Sequence, residues 1–199
     1  MKEYKNIKQD TKDTPKTEKT KMKFVEAMKE CMKSKSVDSI TVRMITEKCG
    51  MTRQTFYRNF LDKYDLINWY FDRILLESFE RMGDGKTIYE GLVKKFRYIE
   101  EEKLFFAVAF RSDDQNSLKQ HDFELILEFY CNLIEEKNGE KPSSDIMFML
   151  EMYCRESITM TVKWVLGDIK VSDEELAKLL VRAMPRELAE LFERLEILD

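Results

Sequence analysis

The chain has 199 residues, of which 43% are hydrophobic and 36% charged, with a formal net charge of −4. That is enough apolar material for a real core, but no segment approaches the roughly 18 consecutive apolar residues that cross a membrane. The first residues, Met-Lys-Glu-Tyr-Lys-Asn, lack the apolar core of a secretion signal. Cys31, Cys49, Cys131 and Cys154 show no paired spacing and sit inside apolar stripes, which predicts reduced core thiols in a cytoplasm and no metal site. Only 6 glycines and 3 prolines are present, so turns are few and helices long. The net charge hides an asymmetry. Residues 1–63 hold 16 Lys+Arg against 9 Asp+Glu, and the remainder holds 18 against 29, so a +7 module precedes a −11 body. Such a split is expected when one end of a protein meets a polyanion.

Residues 1–15 are rich in Lys, Thr and Asp and nearly free of core formers, which predicts a disordered basic arm. A first helix is expected from Thr17 to Ser34, with Phe24, Val25, Met28, Cys31 and Met32 inward. After the loop Ser36–Ser39, Thr41 can cap a short helix whose Val42, Ile45 and Cys49 share a face. Gly50 stops it, because glycine accepts the left-handed backbone of a tight turn. Thr52 caps the next helix. Phe56 and Phe60 form its inner stripe, which leaves Arg53, Gln54, Tyr57 and Arg58 outside. Asp62 and Asp65 favour the start of a fourth helix, from Lys63 to about Met82. Its stripe is Leu66, Ile67, Tyr70, Phe71, Ile74, Leu75 and Phe79, and Gly83-Asp84-Gly85 ends it.

Two short helices around a tight turn, the second presenting arginine, glutamine and tyrosine, suit the major groove of double-stranded DNA. Arg53 and Gln54 have the donors and acceptors to read base edges. Thr41, Thr52, Tyr57 and Lys63 are expected at phosphates, Lys63 from a helix start where free amides also point outward. Arg58 completes the expected DNA-binding set.

Beyond Gly85 helices are predicted near 87–99, 102–111, 116–137, 144–167 and 173–195. Asn116 and Ser117, the run Pro142–Asp145, and the capping box Ser172–Glu175 serve as entries. Pro185 breaks or kinks the last helix. No strand-like alternation appears, so the fold class is all-α. The expected division is a disordered arm over 1–15, a three-helix DNA-binding domain over 16–62, a connecting helix over 63–82 and a helical effector and dimerisation domain over 83–199. The aromatic residues of the second half either form plain core or line a small-molecule cavity. Phe96, Phe106, Phe110, Phe129 and Tyr153 are the candidates for such a lining. The last two long helices offer Tyr153, Ile158, Val162, Val165, Leu176 and Leu180 as a candidate homodimer surface, burial within one subunit being the alternative. Nothing resembles a catalytic site. There is no glycine-rich phosphate loop, and His121 has no nucleophile beside it. No cofactor is expected.

The ordered signatures Thr41-Val-Arg, Cys49-Gly-Met-Thr, Thr55-Phe-Tyr-Arg-Asn-Phe and Asp62-Lys-Tyr-Asp-Leu resemble the DNA-binding domain of the TetR family of bacterial transcription regulators. The resemblance covers roughly residues 17–70. Met44 stands where many members carry Asp, and Thr46 where many carry Ala. The resemblance implies a homodimer on a palindromic operator, paired C-terminal helices across a two-fold axis, and a signal carried by tilting of the fourth helix. Phe105–Leu118, Tyr153-Cys-Arg and Asp62–Trp69 also resemble a subgroup of probable dihydroxyacetone kinase regulators. Its best-known members activate a kinase operon and sense the sugar through a kinase-like partner protein. Two functional readings therefore stand: a regulator that senses a small molecule directly, and a module that works mainly through a protein partner.

Overall fold

A computed structural model describes residues 14–80, 86–112 and 118–198. Ten helices occupy them: α1 (Pro15–Met32), α2 (Val42–Cys49), α3 (Arg53–Tyr57), α4 (Lys63–Phe79), α5 (Ile88–Glu101), α6 (Lys103–Phe110), α7 (Leu118–Asn138), α8 (Ser144–Leu166), α9 (Asp173–Arg182) and α10 (Arg186–Arg194). The fold is all-α, with no strand among the described residues. Most boundaries follow local chemistry. Thr14 caps α1 through the Thr17 amide and Pro15 fills its first turn, so α1 starts two residues before the expected point. Pro15 is thus helix and Thr14 its cap rather than arm, and residues 1–13 of the expected arm lie outside the described residues. Gly50, at φ 68°, terminates α2, and Gly167, at φ 90°, terminates α8. Ser143 caps α8 and Ser172 caps α9. Pro185 separates α9 from α10, a break rather than a kink. The expected caps Asn116 and Ser117, and the end of the fourth helix near Met82, fall outside the described residues.

The chain forms two compact units: residues up to Arg73 with Leu104–Gln120, and Ile74–Lys103 with His121–Asp199. This differs from the expected division at residue 83. The cut falls inside α4, and α6 belongs with the helix-turn-helix part. The physical reason is aromatic packing. Phe105 meets Tyr70 edge-on at 5.3 Å between ring centroids, and Phe106 meets Phe71 at 6.0 Å.

In the first unit, α1, α2 and α3 close around Phe24, Val25, Met28, Ile45 and Phe56, all fully buried. Phe24 packs edge-on against Phe56 at 5.2 Å and Phe60 at 6.3 Å. In the second unit, Phe96 of α5 packs on Trp164 of α8 at 5.5 Å, and Tyr130 of α7 stacks on Phe192 of α10 at 5.4 Å. The Trp164 Nε1–H donates to the Val171 carbonyl at 2.9 Å, and the Ile88 amide to that of Ile197 at 2.9 Å. Arg97 pairs with Asp173 and Glu174 at the start of α9. The four cysteines are free thiols. Burial raises all four, Cys154 to about 12, so they stay protonated and unreactive at neutral pH.

Because Phe56 is the buried side chain within a five-residue helix, Phe56→Ala is expected to destabilise the first unit by about 3–5 kcal/mol. Urea unfolding followed by Trp69 fluorescence, in a Trp164→Phe background, reads this unit separately. A loss under about 1 kcal/mol would contradict the anchoring role.

Candidate nucleic-acid interface

The helix-turn-helix head is built by caps at one end and a phenylalanine pair at the other. The Thr41 hydroxyl accepts from the Met44 amide at 3.3 Å, and the Met44 sulfur accepts from the Thr41 amide at 3.4 Å. A thioether therefore closes the capping box where a carboxylate commonly does. Thr46 is 3% exposed, and its hydroxyl donates to the Arg43 carbonyl, so the extra polar atom is satisfied at a close crossing. Thr52 caps α3 by accepting from the Thr55 amide at 3.1 Å. Within α3, Phe56 is fully buried while Tyr57 is 58% exposed. Arg53, Gln54 and Arg58 are also exposed. None of the three makes a side-chain hydrogen bond or ion pair among the described residues. Their polar atoms are thus left open to an outside partner, as a base-reading surface requires. Asn59 is not part of that surface, because its amide donates to the Thr55 carbonyl at 2.7 Å.

Lys63 departs from expectation. Its ammonium donates to the carbonyls of Val37, Asp38 and Ile40 at 2.8, 2.9 and 2.9 Å. All three protons are spent on the loop between α1 and α2, which leaves none for a phosphate. At the start of α4 the Tyr64 and Asp65 amides are also taken. Asp62 accepts from the amides of Tyr64 and Asp65, and Asp65 accepts from the Leu61 amide at 2.7 Å. The Asp65 carboxyl is pushed up chiefly by burial, against the Leu61 hydrogen bond that lowers it. The same loop is held from the segment after α6. Ser112, 3% exposed, donates to the Asp38 carboxylate at 2.8 Å, and the Tyr64 hydroxyl donates to the same oxygen at 3.1 Å.

The residues of the expected ligand lining are divided between the two units. Phe106 and Phe110 belong to the first unit, while Phe96, Phe129 and Tyr153 belong to the second. Phe129 is turned onto Phe79, at 5.1 Å. Phe96 and Tyr153 do border a common void in the second unit, but its volume is about 20 Å³. That is room for about one water, not for an aromatic effector. Its remaining lining includes polar groups that apolar periodicity does not single out: Lys95, Tyr130, Cys154, Ser157 and Thr161. Lys95 forms a buried ion pair with Asp122, its ammonium 3.0 and 3.1 Å from the two carboxylate oxygens.

The expected dimer stripe is likewise corrected. Tyr153, Ile158, Val165, Leu176 and Leu180 are all under 9% exposed within their own unit, so they are core. Of the six residues only Val162 is partly exposed. The apolar side chains facing outward are Phe148 at 70% and Met152 at 48% on α8, and Leu179 at 41% on α9. Among the described residues no group of His, Cys, Asp and Glu could hold a metal, and no helix is long and apolar enough to cross a membrane.

Comparison with known proteins agrees with this geometry. Residues 24–69 match the model of bacterial regulatory proteins of the tetR family, and residues 86–186 match that of a transcriptional regulator C-terminal region. The HTH-type dhaKLM operon transcriptional activator DhaS of Lactococcus lactis subsp. lactis (strain IL1403) is 28% identical over 90 residues, covering 45% of this chain and 48% of that protein. The chain thus spans about half the length of the curated relative it matches. The solved structure of a dihydroxyacetone kinase operon activator DhaS superposes with a TM-score of 0.58 at 22% identity, covering 90% of this chain and 98% of that one, and so shares the fold. With a helix-turn-helix head and a C-terminal region that both match, the chain belongs to the TetR family of bacterial transcription regulators.

Proposed function

We propose that this regulator binds a palindromic operator as a homodimer and reads each half-site with α3. The observation that carries the reading is the set of Arg53, Gln54 and Arg58, exposed and without partners among the described residues, on a helix whose opposite face is buried. Arg53 and Gln54 read base edges. Thr41, Thr52 and Tyr57 hold phosphates, with Arg58 beside them, and Lys63 shapes the loop before Thr41. A single five-residue helix reaches few bases, so a usable site needs two copies. Phe148 and Met152 lie one turn apart on α8, and with Leu179 they form the apolar surface that a second copy would cover. The size of the void in the second unit favours control through a protein partner over an aromatic effector bound there. The relative's name supports a link to a dihydroxyacetone kinase operon.

Selection of bound sequences from random DNA with the full chain tests the whole reading. A two-fold symmetric motif is expected, and enrichment of no motif, or of an asymmetric one, would overturn it. Arg53→Ala and Gln54→Ala are each expected to weaken specific binding by about 1–3 kcal/mol and to relax preference at one operator position. Tyr57→Phe should weaken all sequences alike.

Lys63→Ala should leave the salt slope of DNA binding unchanged and instead lower the stability of the first unit by about 1.5–3 kcal/mol. A drop in slope of roughly 1 with stability intact would return Lys63 to the phosphates.

Phe148→Glu combined with Met152→Glu is expected to give a folded monomer in sedimentation, with operator affinity down by about a hundredfold or more. Ile158→Glu should unfold the second unit instead. A wild-type chain that is monomeric at micromolar concentration and still holds its operator would defeat the dimer.

A further inference from the structure

The most exposed large apolar side chain among those described is Leu61, at 84%. Single exposed leucines are common and need no special reason. This one is set apart by its position and by how firmly its backbone is held. Although α3 ends at Tyr57, the chain keeps a helical register to Phe60. The Arg58 amide donates to the Gln54 carbonyl at 3.2 Å, and the Phe60 amide to that of Phe56 at 2.9 Å. Leu61 is the next residue. It stands three positions after Arg58, four after Tyr57 and seven after Gln54, so it continues their row, while Phe60 follows Phe56 inward. The Leu61 amide donates to the Asp65 carboxylate at 2.7 Å, and Asp62 caps the start of α4. The leucine is thus presented on a fixed backbone at the end of the row of exposed polar side chains.

The chemistry of that side chain selects among the surfaces of a DNA duplex. It has no donor or acceptor for a phosphate or for the polar edge of a base. The apolar group that distinguishes base pairs in the major groove is the C5 methyl of thymine. Deoxyribose carbons are apolar too, but they are the same at every position. A contact with them would change affinity without changing preference.

We propose that Leu61 is a specificity-determining residue of the DNA-reading surface, packing on the methyl group of a thymine beside the base pairs read by Arg53 and Gln54. The inference rests on the operator reading above and adds to it a reader that has no polar atom.

The operator obtained by selection serves as the probe. Replacing its thymines one at a time by uracil removes the methyl and leaves every hydrogen-bonding group in place. With the wild-type full chain, one such position in each half-site is expected to lose affinity by about threefold to fivefold, the worth of one buried methyl. With Leu61→Ala that position should no longer distinguish thymine from uracil, and selection with the variant should lose its preference for thymine there. Because the side chain is exposed, the Tm of Leu61→Ala should stay within about 2 °C of wild type, which separates a change in binding from a change in folding. A uracil effect at no position, or one that persists in Leu61→Ala, would overturn the proposal. So would an equal loss on all sequences, which would place the side chain on deoxyribose. A wild-type chain that selects no motif sinks the operator reading and this inference together. A symmetric motif without a Leu61-dependent thymine leaves the operator reading intact and removes Leu61 alone.

Discussion

A helix of five residues has no stability of its own, because nucleation costs more than so few hydrogen bonds return. The existence of α3 therefore rests on the contact of Phe56 and Phe60 with Phe24 of α1. Everything else in the head follows from that anchor. Once Phe56 is buried, helical geometry sends Arg53, Gln54, Tyr57 and Arg58 outward with no further instruction. Thr52 sets where the helix begins, and the left-handed Gly50 sets the angle at which the chain arrives.

Around this anchor the head is braced by polar contacts to a single loop. Lys63, Tyr64 and Ser112 all converge on residues 37–40, the stretch that delivers Thr41 to its cap. Ser112 lies far along the sequence, yet it belongs to the same unit. The unit that holds the helix-turn-helix thus includes α6 from Leu104 onward as well as the first three helices and the start of α4.

Features with local causes are legible in the sequence. Caps, the Gly50 turn, the Pro185 break and the Phe56/Phe60 stripe depend on neighbours within a few positions. What the sequence hides depends on partners far away. The role of Lys63 lies in backbone carbonyls 23 to 26 positions earlier, which leave no side-chain pattern. Lys95 and Asp122 are 27 positions apart, and each sits among polar and charged residues that look like solvated surface. On α8 the run Ile146 to Leu150 is apolar on every side, so periodicity does not choose which face turns inward. The expected dimer stripe is the core face, and the outward face carries Phe148 and Met152. Sequence order places Phe106 and Phe110 in the second half, but ring packing on α4 keeps them in the first unit.

The division of labour within α3 bears on how such a regulator acquires a new target. Arg53, Gln54 and Arg58 hold nothing in place, so replacing them removes no contact on which folding depends. Phe56, Phe60 and Thr52 carry the architecture, and the two rings are buried, away from the exposed face. On the proposed reading, target choice and structural integrity are written in different side chains in and beside one short helix. A duplicated copy of this gene could be re-aimed at a different promoter by a few substitutions, each crossing a sequence space nearly flat in stability. Operator preference is then expected to diverge among relatives much faster than the frame that presents it.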